Sequence, residues 1–112
     1  MNDGRVKNLA KRVRENPDDS FSKFALALEL LKNNQRQQAL ILFESIQQND
    51  PDYLGTYYHL GKLYGQLDRT DEARQCFELG IRLAESRGDS RTLSELQEAL
   101  QELIEDNPNR HD

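Results

Sequence analysis

Residues 57–77 read YYHLGKLYGQLDRTDEARQCF, and the fold turns on this stretch. Tyr57, Leu60, Gly61 and Tyr64 fall on one helical stripe, a polar turn follows, and Ala73 and Phe77 resume the apolar pattern. A step of 34 residues towards the N-terminus takes Leu60, Gly61, Tyr64, Ala73 and Phe77 to Leu26, Ala27, Leu30, Ala39 and Phe43. All five pairs agree in identity or size class, so the chain carries an internal repeat. A repeat of this length is a helix pair that cannot bury its own apolar face without a neighbour.

Composition fits that reading. The 112 residues suit one domain, 1–112, and 36% hydrophobic against 31% charged residues favours a thin helical stack over a thick two-layer core. A formal net charge of −5 argues against general binding to nucleic acid, whose phosphates demand a basic surface. The one cysteine, Cys76, excludes an intrachain disulfide and is compatible with a reducing compartment. The start, MNDGRVKNLAKRVREN, has no apolar run resembling a signal peptide, and no stretch approaches the roughly 20 apolar residues needed to cross a bilayer. The expectation is a soluble cytoplasmic protein that engages no membrane.

In residues 5–15, Val6, Leu9, Ala10 and Val13 form one stripe, and Pro17 ends that helix by disfavouring helical geometry at Asn16. Leu9 lies 34 residues before Phe43 and Pro17 lies 34 before Pro51, so this helix reads as the second half of a repeat that covers the next pair. Met1 to Gly4 are expected to fray. The first full unit, 20–53, has a helix from Ser20 to Asn33 capped by Asp18, Asp19 or Ser20, a turn at Asn33-Asn34-Gln35, and a helix from Arg36 to Gln48. The second unit, 54–87, holds helices from about Tyr53 to Gln66 and from Thr70 to Ser86. Thr70 is expected to cap the latter, and Gly61 to sit opposite Ala73 where two backbones approach closely.

Gly88 is a C-terminal stop, and Asp89 or Ser90 opens a last helix, 90–106. It carries Leu93, Leu96, Leu100, Leu103 and Ile104 on one stripe and Glu95, Glu98, Glu102 and Glu105 on the opposite face. A third step of 34 would place a Leu-Gly-like pair at Ser94 and Glu95, which are polar. The helix therefore reads as a terminal piece that solvates the end of the stack, with a loose tail to Asp112.

On Tyr57, Leu60-Gly61, Tyr64, Ala73 and Phe77 the second unit resembles the tetratricopeptide repeat. It departs in having tyrosine where tryptophan is commonest, and Glu85 in place of the closing proline. The first unit is weaker at Lys23 but regains the pattern at Leu26-Ala27, Leu30, Ala39, Phe43 and Pro51. The resemblance implies an all-α fold of about six helices, with antiparallel helix-pair repeats stacked in a right-handed superhelix. It also implies a protein–protein interaction module whose first-of-pair helices line a concave face that takes peptides or other proteins. Residues of those helices turned away from their partners are Phe21, Phe24, Leu28 and Leu31 in the first unit, and Tyr58, Lys62 and Gln66 in the second.

One use of the family grips the C-terminal carboxylate of heat-shock chaperones with Lys and Asn side chains from three consecutive repeats. The corresponding positions here are Phe24, Leu28, His59, Asp89 and Leu93, none of which matches, so that mechanism is not expected. The cluster of Phe21, Phe24, Leu28, Leu31 and Tyr58, with Lys62 beside it, has two readings. Terminal helices or tight curvature bury it, or it is an apolar patch for a partner helix or peptide, or for a second copy in a homodimer. The basic Arg5, Lys7, Lys11, Arg12 and Arg14 lie at one end and the glutamates at the other. Head-to-tail contact is conceivable, although exposed ion pairs contribute only about 0–1 kcal/mol. Catalysis finds little support: His59 and His111 are the only histidines, Cys76 reads as a packing residue, and neither a metal-ligand spacing nor a glycine-rich phosphate loop is present. No enzyme and no cofactor are expected.

Overall fold

The computed structural model describes residues 3–108, in which six α-helices and no strand occur. They are α1 (Asp3–Glu15), α2 (Ser20–Lys32), α3 (Arg36–Asn49), α4 (Gly55–Gln66), α5 (Thr70–Arg87) and α6 (Ser90–Asp106). Asp3 and Gly4, expected to fray, are already helical. The rest of the expected loose ends, His111 included, falls on Met1, Asn2 and 109–112, outside the described residues.

The helix ends follow from local chemistry. Asn34 and Asp68, 34 residues apart, both take the left-handed conformation at φ 61°, and Gly88 does so at φ 67°. After Asn34 the Gln35 N–H donates to the Leu30 carbonyl at 2.8 Å, and after Asp68 the Arg69 N–H donates to Tyr64 at 2.8 Å. The Asp89 N–H likewise donates to Ala84 at 3.0 Å. Each is a Schellman ending that satisfies carbonyls the helix leaves orphaned. At the starts, Asp19 accepts from the Phe21 N–H and Asp89 from the Thr92 N–H, so each aspartate is the cap. Thr70 is not one: α5 is preceded by Arg69 with no side-chain cap, and Thr70 is the buried first residue of the helix itself.

The contacts divide the chain after Thr56 into two compact units. In the first, α1 packs on α2 and α2 on α3. Leu26, Ala27, Leu30, Ala39, Leu40, Phe43 and Ile46 form its core, with Leu9 buried from α1. Fully buried side chains such as Phe43 and Ile46 each contribute roughly 1.5–3 kcal/mol through the area they remove from water. Two charged groups are also buried. Lys23, which breaks the repeat's aromatic pattern, donates its Nζ to Ser45 Oγ at 2.9 Å. Glu29 receives Arg5 Nε at 2.9 Å and Lys32 Nζ at 3.3 Å on one oxygen, which ties α1 to α2. Burial opposes its charge, but the hydrogen bonds from Lys32 and Arg5 outweigh that, and the carboxyl stays below its ordinary value.

In the second unit the nearest atoms that a methyl group at Gly61 would meet belong to the Phe77 ring. That ring fills the space that the missing side chain leaves. Gly80 makes room in the same way further along: a methyl group there would meet Tyr57 Cβ at 2.8 Å and Leu96 Cδ1 at 3.0 Å. The terminal helix corrects the step of 34. Ser94 and Glu95 are exposed, and the buried residues of α6 are Leu96 and Ala99. These stand 36 residues after Leu60 and Leu63, as Thr92, Leu93 and Leu100 do after Thr56, Tyr57 and Tyr64. α5 has 18 residues where α3 has 14, while the linker after it, 88–89, is shorter than 50–54, and the two changes together move the start of the next helix. The buried residues of α6 thus follow those of α4 at a step of 36.

Candidate peptide groove

α4 buries Tyr57, Leu60, Leu63 and Tyr64, which leaves Tyr58, His59, Lys62, Gly65 and Gln66 on its other face. Across from that face stands α6, and the two helices enclose a groove. Its floor is Gly61, Gly65, Phe77, Ala99 and Leu103, and its flanks carry Lys62, Gln66, Glu102 and Asp106, around a volume of about 360 Å³. A second, more polar section of about 520 Å³ adjoins it, lined by Tyr58, His59, Lys62, Glu95, Glu98, Ala99 and Glu102. The depth has a simple origin: glycine and alanine at the floor leave side-chain space empty. Both sections are within the range of sites that hold small ligands or a few side chains of a peptide.

Charge is distributed unevenly around the groove. Glu95, Glu98, Glu102 and Asp106 are all exposed. Lys62 is the one lysine or arginine among the described lining residues. Its Nζ stands 4.0 Å from Glu102 Oε1 and 5.9 Å from the centre of the Tyr58 ring. The Tyr58 ring in turn meets His59 edge-on at 5.4 Å. Burial pushes the His59 imidazole below its ordinary value of 6.5, and the nearby Glu95 carboxylate only partly opposes this. Around neutral pH His59 is therefore uncharged and adds no positive charge to the groove.

The residues singled out from sequence are distributed as follows. Tyr58 and Lys62 lie in this groove. Phe21, Phe24, Leu28 and Leu31 lie on α2 in the first unit. Phe21 is 63% exposed, while the other three are half-buried. Phe24 is a packing residue, with its ring 5.8 Å from Phe43 edge-on and 5.3 Å from Tyr53, and its Cζ is 3.2 Å from where a Gly55 methyl group would lie. The sequence reading misses the α6 wall. It places Glu95, Glu98 and Glu102 on a solvated outer face; they are exposed, and they also line the groove with Tyr58, His59 and Lys62. A step of 36 finds them, since it carries Lys62 to Glu98 and Gln66 to Glu102.

Nothing in the described residues favours catalysis. Cys76 is buried, which gives its thiol no access to a substrate. Among the described residues there is no group of three or more His, Cys, Asp or Glu side chains that could hold a metal ion. No described helix is long and apolar enough to cross a membrane.

The tetratricopeptide repeat profile matches residues 54–87. No curated protein sequence matches the chain. Among solved structures, a tetratricopeptide repeat domain protein from Salinibacter ruber, determined in solution, is 46% identical, covers 87% of this chain and 98% of its own, and superposes with a TM-score of 0.79. A Bordetella parapertussis protein is 26% identical over 96% of both chains, with a TM-score of 0.77. The TPR2B domain of yeast Sti1, solved with an Hsp70 peptide, covers 91% of this chain and 82% of its own with a TM-score of 0.83, but at 13% identity it shows the fold alone. A relative that shares nearly half its residues over almost its whole length, and the profile match on the most regular unit, make this chain a member of the tetratricopeptide repeat family.

Proposed function

We propose that this protein is a binding module that holds a peptide segment of another protein in the groove between α4 and α6. The family fold is a general protein–protein interaction module, not a catalytic one. The Sti1 domain, similar in fold, carries a bound Hsp70 peptide. The observation that carries the reading is the groove itself, with glycine and alanine along its floor and polar groups on both flanks. Glycine and alanine leave room at the floor, and the polar flanks can fix the orientation of an occupant.

A photo-crosslinking side chain at Gln66, on the groove wall, and another at Gln75, exposed on α5, provide the test. In extract of the native cells, Gln66 should yield discrete adducts and Gln75 should not. Gly65→Leu, which fills the floor, should abolish the Gln66 adducts. Adducts of equal yield from both positions, or adducts indifferent to Gly65→Leu, refute the reading.

A second reading rests on Phe21, a large apolar side chain that is 63% exposed on α2. Self-association through that face would hide it from water. Light scattering over a concentration series distinguishes the two: a monomer at high concentration eliminates the homodimer, and a dimer lost on Phe21→Asp supports it.

A further inference from the structure

The groove carries information about its occupant as well as its existence. Four carboxylates, from Glu95, Glu98, Glu102 and Asp106, stand on the α6 side, and Lys62 is the one lysine or arginine among the described lining residues. An acidic peptide entering between these walls would meet like charge at short range, where the potentials of facing surfaces decide which partner is rejected. Within the chain Glu95 meets Arg91 at 3.7 Å and Glu102 meets Lys62 at 4.0 Å, and a neutral apolar peptide would use the floor but bring no cation to Glu98 and Asp106. A lysine or arginine chain satisfies both at once, because its aliphatic stem lies along an apolar surface while its head stays among polar groups.

Lys62 provides an example of that fit within the chain itself. Its head group lies between the Glu102 carboxylate, at 4.0 Å, and the Tyr58 ring, at 5.9 Å to the centroid. An aromatic face and a carboxylate both attract a cation, and Glu98 and Asp106 offer the same chemistry one turn to either side of Glu102. In the adjoining section His59, its value lowered by burial, adds no further positive charge to that of Lys62. From the charge of the walls, the apolar floor and the seating of Lys62, we infer that the α4–α6 groove selects a cationic peptide segment, one whose lysine or arginine side chains lie on the Gly65–Leu103 floor and end at Glu98, Glu102 and Asp106. The inference rests on the proposed peptide-binding role of this groove.

A display library of random twelve-residue peptides, panned on the whole chain, tests it. The enriched peptides should be rich in Lys and Arg. Their affinity should fall about three- to tenfold in the Glu98→Gln/Glu102→Gln double variant, since each exposed pair contributes little by itself. It should fall again as salt rises from about 0.05 M to about 0.5 M, which shortens the screening distance. Lys62→Ala should act in the opposite direction and tighten binding, because Glu102 loses its internal partner. A purely structural role for Lys62 does not produce that gain.

Enriched peptides that are neutral or acidic, yet are displaced by Gly65→Leu, overturn the cationic assignment and leave the groove reading standing. Peptides whose binding ignores Gly65→Leu overturn both. A salt-sensitive dimer of the chain, lost in the same double variant, replaces the foreign peptide with the basic α1 of a second copy and so overturns the inference as well.

Discussion

Two glycines four residues apart on α4 should respond differently to the same substitution. A methyl group at Gly61 would overlap Phe77 Cε1 and lie 2.7 Å from Cδ1 and 2.8 Å from Cζ. Phe77 is 2% exposed, so its ring has no free space into which it can retreat. At Gly65 the same methyl group would have one neighbour, Leu103 Cδ1, at an ordinary contact distance of 3.6 Å. Replacing glycine by alanine within a helix gains about 1 kcal/mol from backbone entropy and helix propensity at either site. Overpacking a filled core costs roughly 1–3 kcal/mol, and only Gly61→Ala incurs it.

Gly65→Ala should therefore stabilise the protein by close to the full propensity gain, about 1 kcal/mol. Gly61→Ala should be neutral to destabilising by roughly 2 kcal/mol. The backbone contribution is common to both and cancels in the comparison, which isolates the packing cost. Urea unfolding followed by far-UV circular dichroism reads the gap. With a slope of about 2 kcal/mol per molar, a gap of about 2 kcal/mol separates the midpoints by about 1 M. Equal midpoints for the two variants would falsify the assignment of Phe77 as the residue that occupies the Gly61 space.

Further predictions come from other regions of the molecule. Phe24→Ala should destabilise by about 2 kcal/mol, roughly half the cost of truncating a fully buried phenylalanine. Phe21→Ala, at a site 63% exposed, should stay within about 0.5 kcal/mol, and thermal unfolding of the pair checks both. His59 has a folded-state value below its unfolded one, so beneath pH 6.5 the unfolded chain binds more protons, and the stability that neutral His59 contributes falls with pH until its lower value is passed. The difference in unfolding free energy between wild type and His59→Gln, measured from about pH 7.5 to about pH 5, should show that slope. The carboxylates with lowered values, Asp19, Glu29, Glu72 and Asp89, lose their contribution only in a more acidic window, as pH falls through their folded-state values. Glu29→Ala removes the acceptor that Arg5 and Lys32 share, so hydrogen exchange in α1 should quicken while the α3 core stays protected.

Most of the scaffold is legible in the sequence because its defining residues act locally and repeat. Leu60, Tyr64, Ala73 and Phe77 are all buried, as are their counterparts Leu26, Leu30, Ala39 and Phe43. Asn34 and Asp68 even end their helices with the same backbone angle. Legibility fails where the period changes. The longer α5, together with the shorter linker after it, moves α6 out of a strict step of 34, which sets Ser94 and Glu95 against Leu60 and Gly61 when Leu96 holds that place. One consequence is that the wall of the groove reads, in sequence, as a solvated outer face.

Phe24 shows the converse limit. The family resemblance places it on the expected concave face, and its partners Tyr53 and Gly55 lie well along the chain, so only the folded arrangement brings them to its ring. Lys23 is similar. It reads as a flaw in the repeat pattern, but Ser45 on the next helix gives its buried ammonium an acceptor.

Amide chemical-shift mapping tests the central claim most directly. The isotope-labelled chain is titrated with a lysine-rich peptide selected on it. The account predicts that the largest perturbations fall on Gly61, Lys62, Gly65, Ala99 and Leu103, and that Gly65→Leu removes them. Perturbations centred on α2 and α3, or scattered over the surface without saturation, contradict it.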